Sequence, residues 1–241
     1  MAVAVVTGAS RGIGRSVAVA LGAAGHDVVV GYAGSPSAAE ETVSLVREAG
    51  GRAVAAQADV ADEGAVAGMF DLAAKEFGGV DVVVNSAGLM LLSPVADLDL
   101  ADLDRMHRTN IRGSFVIARE AARRVRDGGA IVFVSTSVVG LQFPAYAGYA
   151  ASKGAVEAMT LILARELRGR NITVNTVAPG PTATDLFLDG KDQATIDHLA
   201  KQPPLERLGQ PEDIAGVVAF LASPAGHWVN GQTVRANGGI I

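Results

Sequence analysis

The sequence predicts an α/β protein, a doubly wound parallel sheet with helices on both faces. Three observations predict it. Short valine-rich runs alternate with alanine-rich segments of helical length along nearly the whole chain, the order expected of repeated β-α-β units. Most of the runs are continuously apolar, as strands covered on both faces have to be. The first run also ends in a glycine-rich turn that leads straight into the first helical segment.

Taken in order, the first strand is expected at 3–6 and a helix at 12–24. Val28, Val29 and Val30 make the second strand, with a helix at 37–49 after it. Residues 53–57 and 80–84 read as strands flanking a helix at 63–77. A long helical segment at 100–126 leads to strand 131–135, and another at 149–168 leads to strand 173–178. A helix at 211–222 and a short strand at 233–235 close the pattern. Length and the valines decide element type here, since periodicity alone does not separate a short buried strand from a buried helical turn. The stretch 180–204 fits neither class. It carries prolines and an isolated apolar patch, Leu186, Phe187 and Leu188, and is expected to be a substrate loop, a lid or a locally helical insertion.

With 241 residues and no Pro/Gly/Ser linker, a single domain over 1–241 is the better reading at roughly 150 residues per domain. A chain of this size buries about 70–75% of its unfolded surface and needs no staple. There are 20 basic and 25 acidic side chains, for a net charge of −5. That balance leaves no electrostatic footprint for nucleic acid or an anionic membrane. The absence of cysteine removes disulfides, thiolate catalysis and cysteine metal sites. His26, His107, His198 and His227 show no metal-type pairing, so no metal is expected. No uncharged run reaches the length of a membrane span, and a cytoplasmic location is expected.

The turn after the first strand reads Thr7-Gly8-Ala9-Ser10-Arg11-Gly12-Ile13-Gly14. Glycines let the backbone approach a pyrophosphate, and the following helix N-terminus offers unpaired N–H groups and a positive dipole end. A site for NAD wants an acid about 20 residues further on, for the ribose 2′-hydroxyl. Here Gly31-Tyr32-Ala33-Gly34-Ser35-Pro36-Ser37 holds none, and the first acid is Glu40. Arg11 pairs instead with a 2′-phosphate in forked geometry, with Ser35 adding a hydroxyl. The expected cofactor is NADP(H).

The spacing Gly8-x-x-x-Gly12-x-Gly14 differs from the usual dinucleotide fingerprint and resembles that of the short-chain dehydrogenase/reductase family. The likeness extends over nearly the whole chain and implies a Rossmann fold. It assigns Asp59 and Val60 to the adenine, and Asn85, Ala87 and Gly88 to the segment after the fourth strand, matching the family's Asn-Asn-Ala-Gly with Ser86 substituted. Pro179, Gly180, Thr182 and Thr184 lie where the family fixes the nicotinamide amide.

Tyr149 and Lys153 form an i,i+4 pair that shares a helix face. A phenol near pKa 10 is a poor acid–base catalyst, and a neighbouring cation moves it toward the working range. By resemblance, Lys153 lowers the tyrosine pKa and binds the nicotinamide ribose, Asn110 holds a water beside the lysine, and a serine holds the substrate oxygen. The local motif Ser137-Val138-Val139-Gly140 selects Ser137, whereas counting back from Tyr149 in relatives with a longer loop selects Thr136. The implied reaction is hydride transfer between nicotinamide and a ketone or secondary alcohol, with Tyr149 exchanging the proton. Leu89, Met90, Leu91, Leu92, Phe143, Tyr146, Leu186 and Phe187 suggest a fairly apolar small molecule, that is, a carbonyl reductase.

A 3-oxoacyl-[acyl-carrier-protein] reductase is the alternative, for which Arg170 matches one basic position. A non-catalytic NADP-binding protein is the rival from another class, and an epimerase or dehydratase would want a longer C-terminal domain. The resemblance also implies a homotetramer or dimer built on 100–126, 149–168 and the C-terminal segment, where Trp228 lies and Asn237 departs from the common Asp-Gly-Gly.

Overall fold

The computed structural model describes residues 1–241. Seven strands, all paired in parallel, form one sheet in the order β3-β2-β1-β4-β5-β6-β7. They are β1 (Val3–Thr7), β2 (Asp27–Tyr32), β3 (Ala53–Gln57), β4 (Val80–Asn85), β5 (Val125–Val134), β6 (Thr173–Pro179) and β7 (Thr233–Ala236). The helices are α1 (Gly12–Ala23), α2 (Pro36–Glu48), α3 (Glu63–Phe77), α4 (Leu100–His107), α5 (Gly113–Arg124), α6 (Val138–Leu141), α7 (Ala147–Glu166), α8 (Asp185–Leu188), α9 (Gln193–Ala200) and α10 (Pro211–Leu221).

The continuous apolarity of the strands has its explanation in two cores. Successive residues of a strand point to opposite faces. Val3 and Val5 of β1 join Phe70 of α3, Ile117 of α5 and Leu163 of α7 on one face. Ala4 and Val6 join Leu21 of α1, Val43 of α2 and Ile214 of α10 on the other. The sheet reverses its winding between β1 and β4, and a crevice opens at the carboxyl ends of these strands, where doubly wound sheets place ligands.

Two sequence expectations shift. The helix expected over 100–126 is broken by a π-helical turn at Arg108–Arg112, and it stops at Arg124. Val125 already pairs with Val80 of β4, and the register then jumps to Val82 opposite Ala130. Residues 126–129 bulge out between. Arg126 turns away to the Asp81 carboxylate at 2.7 Å, and Gly128 adopts a left-handed conformation. The stretch 180–204 is locally helical, carrying α8 and α9.

Candidate active site

A cavity of about 490 Å³ sits over the carboxyl ends of the central strands. One wall is the glycine turn. Gly8 takes a positive φ of 62°, and a Cβ there would fall 2.8 Å from the Ala87 backbone. A Cβ on Gly14 would enter the Gly8 carbonyl group. Ser10, Arg11, Gly12 and Ile13 line the same wall. No side chain caps α1 and its first turn holds no acid, so its N–H groups face the cavity free.

Asp59, Val60, Ala87 and Gly88 line the cavity, as do Pro179, Gly180, Thr182 and Thr184. The Asp59 carboxylate accepts from the Ala61 N–H at 2.9 Å and from Arg108 at 2.6 Å. Two residues lie differently from the sequence expectation. Asn85 is buried behind the wall, where Thr7 donates to its Oδ1 at 2.6 Å and it donates to Ser114 at 2.9 Å. It ties β1, β4 and α5 together instead of facing a ligand. Ser35 caps α2 by accepting from the Ala38 N–H. The wall there is Tyr32, Ala33 and Gly34, with Tyr32 and Ala58 additional to the sequence reading.

Tyr149 and Lys153 meet at the cavity floor, both buried. Burial pushes the Tyr149 phenol up, the neighbouring Tyr146 adds to that, and a hydrogen bond with the Thr136 hydroxyl opposes it. Burial also pulls the Lys153 ammonium down from 10.5 to about 8. The lysine donates to the Val134 carbonyl at 2.8 Å. Lys153 is not among the groups that shift the phenol, whose rise comes first from burial. Desolvation is the first cause in both groups and favours the neutral form of each.

The hydroxyl beside the phenol is that of Thr136. Ser137 also lines the cavity, donating to the Ala178 carbonyl at 3.1 Å and accepting from Asn237 Nδ2 at 3.0 Å. The local motif Ser137-Val138-Val139-Gly140 points to Ser137. Counting from the tyrosine points to Thr136, and both residues line the cavity. Asn110 sits one layer below the cavity, on the π-helical turn. Its amide donates to the Leu89 carbonyl and to Ser152, and its Oδ1 accepts from the Leu89 N–H. A Cβ on Gly88 would lie 3.2 Å from Lys153 Nζ and 3.5 Å from Asn110 Oδ1, so these two flank one glycine.

The far wall is apolar and aromatic. Met90, Phe143, Tyr146, Leu186 and Phe187 line it as expected, joined by Leu141 and Leu199. Leu89, Leu91 and Leu92 do not reach the cavity. Arg170, the basic position that favoured a carrier-bound substrate, turns inward to Asp127 and to the Ala122 and Val125 carbonyls.

A family model described as enoyl-(acyl carrier protein) reductase matches residues 8–241. A short-chain type dehydrogenase/reductase of Picea abies is 47% identical, with 99% of this chain and 92% of that protein covered. The chain belongs to the short-chain dehydrogenase/reductase family. An NADPH-dependent aldehyde reductase 2 of Arabidopsis thaliana, named as chloroplastic, is 42% identical over 99% of this chain and 93% of its own. The angucycline C-6 ketoreductase LanV with bound NADP is 36% identical and superposes with a TM-score of 0.93, covering 99% of this chain and 95% of that one.

As a member of this family the chain is an oxidoreductase of C=O and CH–OH groups, and its cofactor is NADP(H). The residues fit the cofactor. Cβ atoms are absent where they would fill the cradle, and α1 offers free N–H groups. Residues 31–37 hold no acid to repel a 2′-phosphate. No helix is long and apolar enough to cross a membrane.

Proposed function

We propose that this short-chain dehydrogenase/reductase is a carbonyl reductase for small, fairly apolar ketones. The observation that carries the reading is the apolar, aromatic wall facing the buried Tyr149 and Lys153 pair. When bound, the reduced cofactor supplies the hydride that the carbonyl carbon accepts. Thr136 donates a hydrogen bond to the carbonyl oxygen and holds it toward the phenol. Tyr149 gives that oxygen its proton, so that the C=O bond becomes C–H and O–H. Lys153 orients the nicotinamide ribose, and Asn110 positions the Leu89 backbone and α7 beneath it. On the cofactor side, Arg11 takes the 2′-phosphate, Asp59 and Val60 hold the adenine, and Thr182 and Thr184 face the nicotinamide amide.

Purified enzyme is expected to oxidise NADPH with a hydrophobic ketone. Tyr149→Phe is expected to lower that rate about 10³-fold while NADPH binding, read by its fluorescence, stays within twofold. Wild-type turnover by the phenylalanine variant overturns the assignment. The acyl-carrier alternative draws no support from Arg170, whose nitrogens are all bonded internally. The same reading includes a homotetramer, supported by exposed Phe115 of α5 and Leu161 and Ile162 of α7, which light scattering checks. A cytoplasmic location belongs to it as well.

A further inference from the structure

We propose that the substrate is a neutral aryl ketone carrying a second oxygen beside the reacting carbonyl, and that the Tyr146 hydroxyl binds this second oxygen. The proposal rests on the carbonyl-reductase reading and names the substrate class of the same site. Three observations carry it.

The first is where the aromatic residues lie. Phe, Tyr and Trp are only 5% of the chain, yet Phe143, Tyr146 and Phe187 gather on the wall opposite the cofactor, around Tyr149. Phe143 and Tyr146 meet edge to face, with ring centres 6.0 Å apart. Phe187 comes from a separate element, α8, and Lys191 Nζ sits 4.7 Å from its ring centre. An aryl ring between these groups gains offset or edge contacts beyond burial of its area. An alkyl chain gains the area alone.

The second is Tyr146 itself. It stands one helical turn before Tyr149, and positions three apart share a helix face with Cβ atoms about 5–6 Å apart. Tyr146 lines the cavity, its hydroxyl has no hydrogen-bond partner in the protein, and burial alone pushes its pKa up. An unpaired hydroxyl that a bound ligand covers costs free energy unless the ligand pairs with it. A substrate oxygen next to the reacting carbonyl meets that need, because the two phenols stand side by side.

The third is charge. Lys153 is spoken for at the floor, and Arg11 lies 4.0 Å from Asp185 at the cofactor end. No other cation lines the cavity. An anionic substrate would leave its charge unpaired there.

The test compares 1-phenyl-1,2-propanedione, propiophenone and 2-nonanone as substrates with NADPH. Propiophenone is expected to exceed 2-nonanone in kcat/KM by about tenfold, and Phe143→Ala to remove most of that margin. Tyr146→Phe is expected to lower kcat/KM for the dione about tenfold more than for propiophenone, chiefly through KM. The difference between the two ketones cancels the greater intrinsic reactivity of the dione. Equal losses on both ketones, or 2-nonanone matching the aryl ketones, overturn the proposal while the carbonyl-reductase reading stands. If NADPH binds but none of the three is reduced, both fall together.

Discussion

The two walls of the cavity are made of different material. The wall at the ends of β1, β2 and β4 is backbone: a turn without Cβ atoms at Gly8, Gly12 and Gly14, closed against Ala87. The wall at the ends of β5 and β6 is side chain: Thr136, Tyr149 and Lys153 at the floor, and Met90, Phe143, Tyr146 and Phe187 above them. A backbone wall is specified by what must be missing, at fixed spacing. A side-chain wall is specified by buried polar groups and by packing, and its chemistry carries a cost in stability.

The strongest way to break that contrast is at Lys153. Its amine loses its proton near 8 when folded, against 10.5 ordinarily, with burial as the cause. Between those values the unfolded chain binds more protons, so stability rises with pH from about 8 to 10.5, and below 8 the full penalty of about 3 kcal/mol is present. Lys153→Met is expected to lower kcat about 10³-fold and to leave Tm unchanged or higher at pH 7. Its advantage over the wild type should shrink as the pH is raised toward 10.5. Thermal melts across pH 6–10 check this. A variant that melts lower at every pH would show that the Val134 hydrogen bond outweighs desolvation, and the contrast between the walls would fail.

The next effect separates Thr136 from Ser137. Thr136→Val keeps the shape and removes the hydroxyl beside the phenol, and kcat is expected to fall about 10²-fold. Ser137→Ala removes a bond to the Ala178 carbonyl and one from Asn237. It is expected to change kcat less than fivefold and to lower Tm slightly. The reverse order, measured by steady-state kinetics on one ketone, would assign the role to Ser137.

What was legible in the sequence follows the same division. The strands and the turn could be read because burial on two faces demands unbroken valine, and a missing Cβ demands glycine at set positions. The i,i+4 pair Tyr149 and Lys153 could be read because helix geometry alone brings it together. Ser137 could not be told from Thr136, since the two differ by how β5 ends and not by residue type. Asn85 and Ser35 keep their places in the chain, but their polar atoms satisfy the protein's own N–H and hydroxyl groups. No spacing rule separates that use from ligand binding. The end of helix 100–126 was missed because Val125 has the same apolar period whether it closes a helix or opens a strand; its partner Val80 decides.

Arg11 is the one side chain on which the backbone wall depends, and it offers the smallest and most selective test. Its guanidinium is exposed, 4.0 Å from the Asp185 carboxylate at the start of α8. In water such a pair contributes little, so a 2′-phosphate with more charge and three acceptors competes for the arginine readily. Losing a charge-assisted contact of this kind costs about 1.5–3 kcal/mol. Arg11→Ala is therefore expected to raise the Kd of NADPH about 10- to 100-fold and to leave that of NADH within twofold, read by nucleotide fluorescence. The glycine turn still cradles the pyrophosphate that both cofactors share, so an equal loss for both would mean that Arg11 shapes the turn itself. Raising salt should weaken NADPH binding to the wild type and scarcely touch the alanine variant, because only the wild type makes the exposed charge pair.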